Sequence, residues 1–223
     1  MKTFEHPIIP IDKSIIDEVT TNFQIQDLSK ATIREVKAIA AKVEQISGVE
    51  FIKMEMGVPG LPPSPIGVKA QIEALEKGIA SIYPDIDGYS ELKKQASRFV
   101  KAFINVDVKP EGCIPVAGSM QGSFVSFLTC CQCYEGKDTV LFIDPGFPVQ
   151  KQQLTVMGLK YETFDVYKYR GDKLKDKLES YLNKGNISAI IYSNPNNPTW
   201  MCLKEEELKT IGELATKYDT IIL

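Results

Sequence analysis

Apolar residues in the first third of the chain recur with the period of a helix. Between residues 29 and 48 they fall every three or four positions, which predicts an amphipathic helix. Thr32 and Glu35 have the spacing of a capping box at its start. Ser64 and Pro65 predict the start of a second helix, because serine favours the position before a helix and proline its first turn. The apolar positions of the first helix are Ile33, Val36, Ile39, Ala40, Val43 and Ile46.

From residue 90 onward, amphipathic segments alternate with short apolar runs. Ser90 is predicted to cap one helix, and Gly158 and Gly185 to end two others. Runs that are apolar almost throughout predict strands buried on both faces, and hence a mostly parallel sheet with helices on both sides. The fold class is therefore α/β, a three-layer sandwich. The predicted strands are "CIPVAG", "TVLFID", "KYETFDV", "ISAIIYS" and "DTIIL".

Composition narrows the range of partners. The 223 residues are 43% hydrophobic, which is enough for one large domain, or for one with a small appendage. The net charge is −3 and no basic cluster occurs, so nucleic acid and anionic membranes are unfavoured partners. The N-terminus lacks the features of a secretory signal, and no apolar run approaches the roughly 20 residues of a membrane span. We expect a soluble cytoplasmic protein.

Residue types that commonly carry catalysis or metal binding are scarce. The single histidine, His6, is interpreted as a tail residue, which argues against Ser-His-Asp or Cys-His catalysis. Three of the five cysteines crowd into "CCQC", which matches neither a disulfide framework nor the usual CxxC pairs of a zinc site. We therefore interpret the cysteines as ordinary helix residues and expect no metal site.

Three segments that follow predicted strands contain candidate site residues, because ligands of parallel sheets bind beyond the carboxyl ends of the strands. In "VAGSMQGSF", a turn at Gly118 would leave the amides of Ser119, Met120 and Gln121 free at a helix N-terminus, a setting that suits phosphate. The segment is neither a Walker loop nor a GxGxxG motif. The alternative is a purely structural turn.

The other two segments are rich in proline. In "DPGFPVQ", Phe147 is either a rigid plate for a flat ring or a core residue in a turn. In "SNPNNPTW", Asn197 precedes Pro198, a combination that favours a tight turn and permits a cis peptide bond. An amide held in this way could donate to a ligand oxygen, or the segment could be a simple connection between a strand and a helix.

Five segments, in this order and spacing, resemble the large domain of fold-type I pyridoxal-phosphate enzymes of the class I/II aminotransferase family. They are "GVPGLPPSP", "YPDIDGYSELKKQ", "GSMQGSF", "DPGFP" and "NPNNPTW". The resemblance runs from about Gly57 to Leu223 and implies a portion of the pyridoxal-phosphate-binding large domain over residues 57–223. Residues 1–56 are predicted to form an N-terminal arm and helix. The implied reaction moves an amino group between an amino acid and a 2-oxo acid, in a homodimer.

The resemblance also implies roles for single residues. The amides of Ser119 and Met120 would hold the cofactor phosphate, and Phe147 would stack on the pyridine ring. Asn197 would hydrogen-bond the phenolic oxygen of that ring, with a cis bond to Pro198.

Three further positions take their interpretation from the same resemblance. Gly57 would lie beside the substrate carboxylate, and Tyr83 would reach the phosphate bound by the neighbouring subunit. Trp200 departs from the family pattern, which usually has glycine at this position. The departure bears on the turn geometry and the pocket volume after Thr199.

Other parts of the family pattern are not found in these 223 residues. In the family, an aspartate that pairs with the pyridine nitrogen comes directly after the next strand, and a lysine that binds the cofactor covalently comes later. We therefore expect a portion of a longer polypeptide that has no catalytic residue and is inactive alone. Lysines on predicted helices are interpreted as solvated charges: Lys69, Lys93 and Lys94. The arginines are interpreted as surface or helix-face residues: Arg34, Arg98 and Arg170.

Alternatives to an aminotransferase remain at this level. A lyase, decarboxylase or synthase of the same fold type would use the same loops, since these hold the ring and do not select the bond that breaks. A non-catalytic aminotransferase-like binding module would fit the missing lysine. A generic nucleotide-binding α/β domain would explain the anion loop but neither "NPNNPTW" nor "DPGFP".

Overall fold

The computed structural model describes residues 10–25, 27–54, 57–58 and 60–223. His6 lies outside the described residues. The chain divides into two compact units, Met1–Ile82 and Tyr83–Leu223.

In the first unit, two amphipathic helices pack against each other. Their core is formed by Ile11, Val19, Ile39 and Val43, each no more than 8% exposed. The predicted capping box is present, since Thr32 N donates to the Glu35 carboxylate at 2.7 Å and Glu35 N donates to Thr32 Oγ1 at 3.3 Å. The sequence pattern did not predict the first helix of this pair, Lys13–Asn22. The helices are α1 (Lys13–Asn22), α2 (Ile33–Ser47) and α3 (Pro65–Glu76).

The second unit contains a parallel sheet with strand order β2-β1-β3-β4. Its strands are β1 (Thr139–Asp144), β2 (Lys160–Asp165), β3 (Ile187–Ile191) and β4 (Ile221–Ile222). Its helices are α4 (Ser90–Ile104), α5 (Ser119–Cys133), α6 (Pro148–Met157), α7 (Lys173–Leu182) and α8 (Glu205–Lys217). Gly158 ends α6 in the left-handed conformation, as predicted.

Helices cover both faces of this sheet. Alternate residues of β1 point to opposite sides, because side chains along a strand alternate. Leu141 and Ile143 join the core that the leucines of α7 and α8 complete, while Val140 and Phe142 join a second core with Phe127 of α5. The predicted three-layer α/β arrangement is therefore confirmed.

The predicted strand at residues 113–118 is absent. The segment belongs to no strand of the sheet, and Ile114 is 68% exposed. Pro115 has no N–H to donate to a strand ladder, which makes this run a poor strand despite its apolar composition. One predicted cap also differs, because Ser90 is the first residue of α4 and follows the N-cap Tyr89. Ser64 and Pro65 begin α3 as predicted, and Ser64 makes no side-chain hydrogen bond at the N-cap.

One predicted solvated lysine is buried. Lys93, on α4, is 6% exposed, and its ammonium pairs with the carboxylate of Asp87. A buried ammonium requires such a partner, and helical periodicity does not reveal this one, because Asp87 precedes α4. The other two lysines, Lys69 and Lys94, are exposed as predicted, as are Arg34 and Arg98.

Candidate functional site

Three loops of the second unit carry the residues predicted to form a site. We call residues 116–121 the Gly118 loop, residues 145–147 the Phe147 loop and residues 192–200 the Asn197 loop. The Phe147 loop follows the carboxyl end of β1, and the Asn197 loop follows the carboxyl end of the neighbouring strand β3. The Gly118 loop leads directly into α5.

The Gly118 loop presents two free backbone amides. Gly118 has φ 112° and ψ 167°, a conformation that only glycine adopts without strain. Neither Ser119 N nor Met120 N has a hydrogen-bond acceptor among the described residues. The prediction of a third free amide is wrong, because Gln121 N donates to Gly118 O at 3.1 Å. The Gln121 side chain instead closes the loop, since its Oε1 accepts from Ala117 N at 2.6 Å.

Gln153 of α6 fixes the first turn of α5. Its Nε2 donates to Met120 O at 2.8 Å, and its Oε1 accepts from Ser123 Oγ at 2.7 Å. Helix α6 begins directly after the Phe147 loop, so this contact joins the Gly118 loop to the Phe147 loop. Sequence reasoning missed Gln153, because a glutamine within "KQQL" carries no pattern that marks it as a contact residue.

Phe147 immediately precedes α6 and is 37% exposed. Among the described residues its ring makes no aromatic pair. The interpretation as a core phenylalanine is therefore unsupported, and one part of the ring is open to a ligand.

Asp144 is the last residue of β1 and directly precedes the Phe147 loop. Its Oδ2 accepts from Lys151 Nζ and from Thr163 Oγ1, so the negative charge is balanced locally. Its Oδ1 is buried and has no hydrogen-bond partner among the described residues. A Cβ at Gly146 would lie 3.3 Å from that oxygen, a close contact that glycine avoids.

The Asn197 loop uses most of its polar groups to hold its own shape. Ser193 Oγ accepts from Asn197 N at 3.2 Å, and Asn194 Oδ1 accepts from Leu203 N at 2.9 Å. The side chain of Asn197 does not contribute to this: the residue is exposed, and its carboxamide has no partner among the described residues. The Asn197–Pro198 peptide bond is cis, as the resemblance implied.

Asn196 connects the Asn197 loop to the Phe147 loop. It is only 4% exposed, and its Nδ2 donates to Pro145 O at 2.6 Å. Sequence reasoning singled out the neighbouring Asn197 and missed this residue, because burial cannot be read from a polar stretch of this kind. Together, the contacts of Gln153 and Asn196 join all three loops.

Trp200 adopts the left-handed backbone conformation, with φ 60°. Its N–H donates to Asn196 O at 2.8 Å, which closes the turn, and its side chain is 81% exposed. The backbone of this turn therefore suits glycine, and tryptophan occupies it under strain.

An ion pair anchors the segment that follows the Asn197 loop. Arg170 Nε and Nη2 donate to the two carboxylate oxygens of Glu207, each at 2.6 Å, and Nη2 also donates to Cys202 O at 3.0 Å. Glu207 further accepts from Gly171 N and Lys204 N, both at 2.8 Å. These hydrogen bonds, that of Arg170 above all, lower the pKa of Glu207 to about 2. Arg170 was interpreted as a surface or helix-face residue; it is 30% exposed, and the ion pair with Glu207 was not predicted.

Two predicted site residues belong to none of the three loops. Tyr83 is 97% exposed, and among the described residues no hydrogen bond joins it to these loops. Gly57 belongs to the first unit, lies in a segment without regular secondary structure and is exposed.

Neither a metal-binding cluster nor a membrane-spanning helix occurs among the described residues. No group of three or more His, Cys, Asp or Glu side chains there could hold a metal ion. No helix in the described part of the chain is long and apolar enough to cross a membrane.

The second unit belongs to the class of parallel α/β sheets, in which ligands bind beyond the carboxyl ends of the strands. Comparison with known proteins identifies the family. Residues 49–223 match the family described as aminotransferase class I and II. The match covers most of the chain, and the chain belongs to this family. The resemblance drawn from the five sequence segments is therefore confirmed.

Curated relatives agree with this assignment. Over 199 residues the chain is 28% identical to an aspartate aminotransferase of Pyrococcus horikoshii, an alignment that covers 88% of this chain and 48% of the relative. It is 27% identical over 202 residues to an LL-diaminopimelate aminotransferase of Halothermothrix orenii, covering 89% and 50%. The chain thus spans about half the length of the curated relatives it matches.

Solved structures support the fold. The aspartate aminotransferase of Thermus thermophilus with maleate matches with a TM-score of 0.72 at 20% identity, over 91% of this chain and 51% of that chain. An alanine aminotransferase from Pyrococcus furiosus matches with a TM-score of 0.71 at 22% identity, over 85% and 48%.

Proposed function

We propose that this chain supplies the face of an aminotransferase that binds the phosphate and ring of pyridoxal phosphate. The proposal is carried by hydrogen-bonding groups that have no partner and that lie on loops connected to one another by hydrogen bonds. Two backbone amides of the Gly118 loop and the carboxamide of Asn197 have no hydrogen-bond partner among the described residues. The whole protein would transfer an amino group between an amino acid and a 2-oxo acid.

The Gly118 loop fits a phosphate group. The amides of Ser119 and Met120 stand at the N-terminus of α5, a helix of 15 residues whose dipole favours an anion. The hydroxyl of Ser119 adds a further donor. The carboxylate of Asp144 is paired with Lys151, so its charge opposes phosphate binding less than a free carboxylate would.

The other two loops fit the ring. Phe147 offers a partly exposed aromatic face for stacking, and Asn197 offers N–H groups to the phenolic oxygen. When bound, pyridoxal phosphate supplies an electron-withdrawing ring that stabilises negative charge on the substrate's α-carbon. The contribution of Ser119, Phe147 and Asn197 is to bind and orient that ring.

Other residues enter the proposal through the family. Gly57 would approach the substrate carboxylate, and the nearly complete exposure of Tyr83 supports its use by a neighbouring subunit in a homodimer. We place the protein in the cytoplasm. We infer that these 223 residues do not include the aspartate and lysine that the family uses for catalysis. The 223-residue chain alone is therefore expected to bind the cofactor without catalysing transfer.

A variant that removes a single N–H tests the phosphate site. Ser119 is the first residue of α5, where proline is well tolerated, and the extended ψ of Gly118 suits a following proline. Ser119→Pro deletes one anion-binding amide while the helix remains. We expect it to weaken binding of pyridoxine 5′-phosphate about tenfold or more, the value of a hydrogen bond to a charged group. The probe has no aldehyde, so it cannot react with surface lysines.

Ser119→Ala is the matched control, because it removes the hydroxyl and keeps the amide. Isothermal titration calorimetry should show a smaller loss for the alanine variant than for the proline variant. Equal affinity of Ser119→Pro and wild type would refute the phosphate site.

A further inference from the structure

Both the Nδ2 and the Oδ1 atoms of Asn196 form hydrogen bonds, and their partners lie in the Phe147 loop and in the Asn197 loop. Its Nδ2 donates to Pro145 O at 2.6 Å and lies 3.4 Å from Ser193 Oγ. Its Oδ1 accepts from Thr199 Oγ1 at 2.8 Å and from Thr199 N at 3.2 Å. The side chain therefore ties the Phe147 loop to both ends of the turn that contains Asn197.

The backbone of Asn196 is held as firmly as its side chain. Its N–H donates to Met201 O and its carbonyl accepts from Trp200 N, both at 2.8 Å. At 4% exposure these bonds are shielded from water, which increases the cost of leaving any of the groups unpaired. The next residue, Asn197, has an exposed carboxamide without a partner among the described residues. A fully bonded residue thus directly precedes one with an unused side chain.

We propose that Asn196 is a positioning residue that sets the carboxamide of Asn197 in place relative to Phe147. The two groups are predicted to contact one cofactor ring, Phe147 on its face and Asn197 at its phenolic oxygen. Both contacts can form at once only if the distance between the Phe147 loop and the Asn197 loop is fixed. The hydrogen bond from Asn196 Nδ2 to Pro145 O connects these two loops directly. This inference rests on the proposed binding of pyridoxal phosphate.

The chain offers a matched control at the opposite end of the same two strands. Asn186 precedes β3, and its Nδ2 donates to Thr139 Oγ1 of β1 at 3.0 Å. Both asparagines therefore donate through Nδ2 to a residue of the neighbouring chain segment, Asn186 to Thr139 at the amino end of β1 and Asn196 to Pro145 just beyond its carboxyl end. The same substitution, asparagine to aspartate, removes the donor at either place and preserves the side-chain shape.

The experiment compares Asn196→Asp and Asn186→Asp with the wild-type chain. The affinity for pyridoxine 5′-phosphate is measured by calorimetry, and the absorption maximum of the bound ring reports the hydrogen bond to its phenolic oxygen. Acrylamide quenching of Trp200, the single tryptophan of the chain, reports the placement of the Asn197 loop without ligand. We expect Asn196→Asp to weaken binding about tenfold, to shift the absorption maximum and to change the quenching. Asn186→Asp should leave all three unchanged.

A milder variant guards against misfolding of Asn196→Asp. Thr199→Val keeps the side-chain shape and removes the hydroxyl that donates to Asn196 Oδ1, so it should change the absorption maximum and the quenching in the same direction by a smaller amount. If either Asn196→Asp or Thr199→Val folds and matches wild type in affinity, absorption maximum and quenching, the role of Asn196 is overturned. If the wild-type chain binds no pyridoxine 5′-phosphate, the proposed function fails, and with it the cofactor contact inferred here. The quenching of Trp200 without ligand distinguishes the two failures.

Discussion

The Gly118 loop and the Asn197 loop present ligand groups in contrasting ways. The Gly118 loop offers backbone amides, whose direction is set by the start of α5. Two glutamine side chains hold this loop: Gln121 accepts from Ala117 N, and Gln153 donates to Met120 O. The Asn197 loop offers a side-chain carboxamide, whose direction depends on every neighbouring torsion angle. Several of its other polar groups are bonded within the loop, to the Phe147 loop or to the segment that follows. A helix terminus orients its donors by itself, whereas a side-chain donor needs a rigid loop around it.

The largest expected effect concerns the ion pair that anchors the segment after the Asn197 loop. Glu207 is 2% exposed and accepts four hydrogen bonds, so Glu207→Gln leaves the guanidinium of Arg170 without its charged partner. We expect the free energy of unfolding to fall by about 3 kcal/mol, as found when one member of a buried pair is removed. Urea unfolding followed by circular dichroism measures this change. Comparable unfolding of Glu207→Gln and wild type would contradict the anchoring role.

Glu206→Gln is the control, because Glu206 is exposed in the same first turn of α8. The pH dependence provides a second check on the pair. The pKa of Glu207 is about 2 in the folded chain, below its ordinary value of 4.5. Its contribution to stability is therefore complete above about pH 4.5 and declines as the pH falls towards 2. Glu207→Gln should lack this part of the acid destabilisation.

A smaller effect is expected at the end of the turn, where Trp200 takes the conformation natural to glycine. Because the side chain is 81% exposed, Trp200→Gly loses little packing and relieves the left-handed strain. We expect a gain of about 0.5 kcal/mol in the free energy of unfolding, since the relief is partly offset by the greater freedom of glycine in the unfolded chain. Circular dichroism in urea is again the measurement. Trp200→Ala should show no such gain, and a loss in the glycine variant would mean that the indole ring stabilises the fold.

Much of the fold was accessible from local sequence patterns. The strand β1 follows from an uninterrupted apolar run, and α2 from its period and its capping box, since each depends on neighbours within a few positions. The run at residues 113–118 looked equally apolar, yet it forms no strand, because a strand needs a partner and donors as well as apolar side chains.

The candidate site was predicted in part. Ser119, Met120, Phe147 and Asn197 were found from turn chemistry and from the family resemblance, and the structure joins their loops. Their contact with a cofactor stays a prediction.

Contacts between residues far apart in the chain escaped prediction. Arg170 and Glu207 are 37 positions apart, and Asn196 and Pro145 are 51 positions apart, so no local pattern marks either pair. Lys93 was misjudged for a related reason, because burial of a charged side chain depends on a partner that helical periodicity does not reveal.

The central claim is that the loops beyond β1 and β3, together with the start of α5, bind a phosphorylated pyridine ring. The most direct measurement is the affinity of the 223-residue chain for pyridoxine 5′-phosphate and for pyridoxine, compared by calorimetry at the same pH and salt concentration. We predict that the phosphorylated ligand binds about tenfold more tightly or better, because only it engages the amides of Ser119 and Met120. Equal affinity for the two ligands, or binding of neither, would contradict the account.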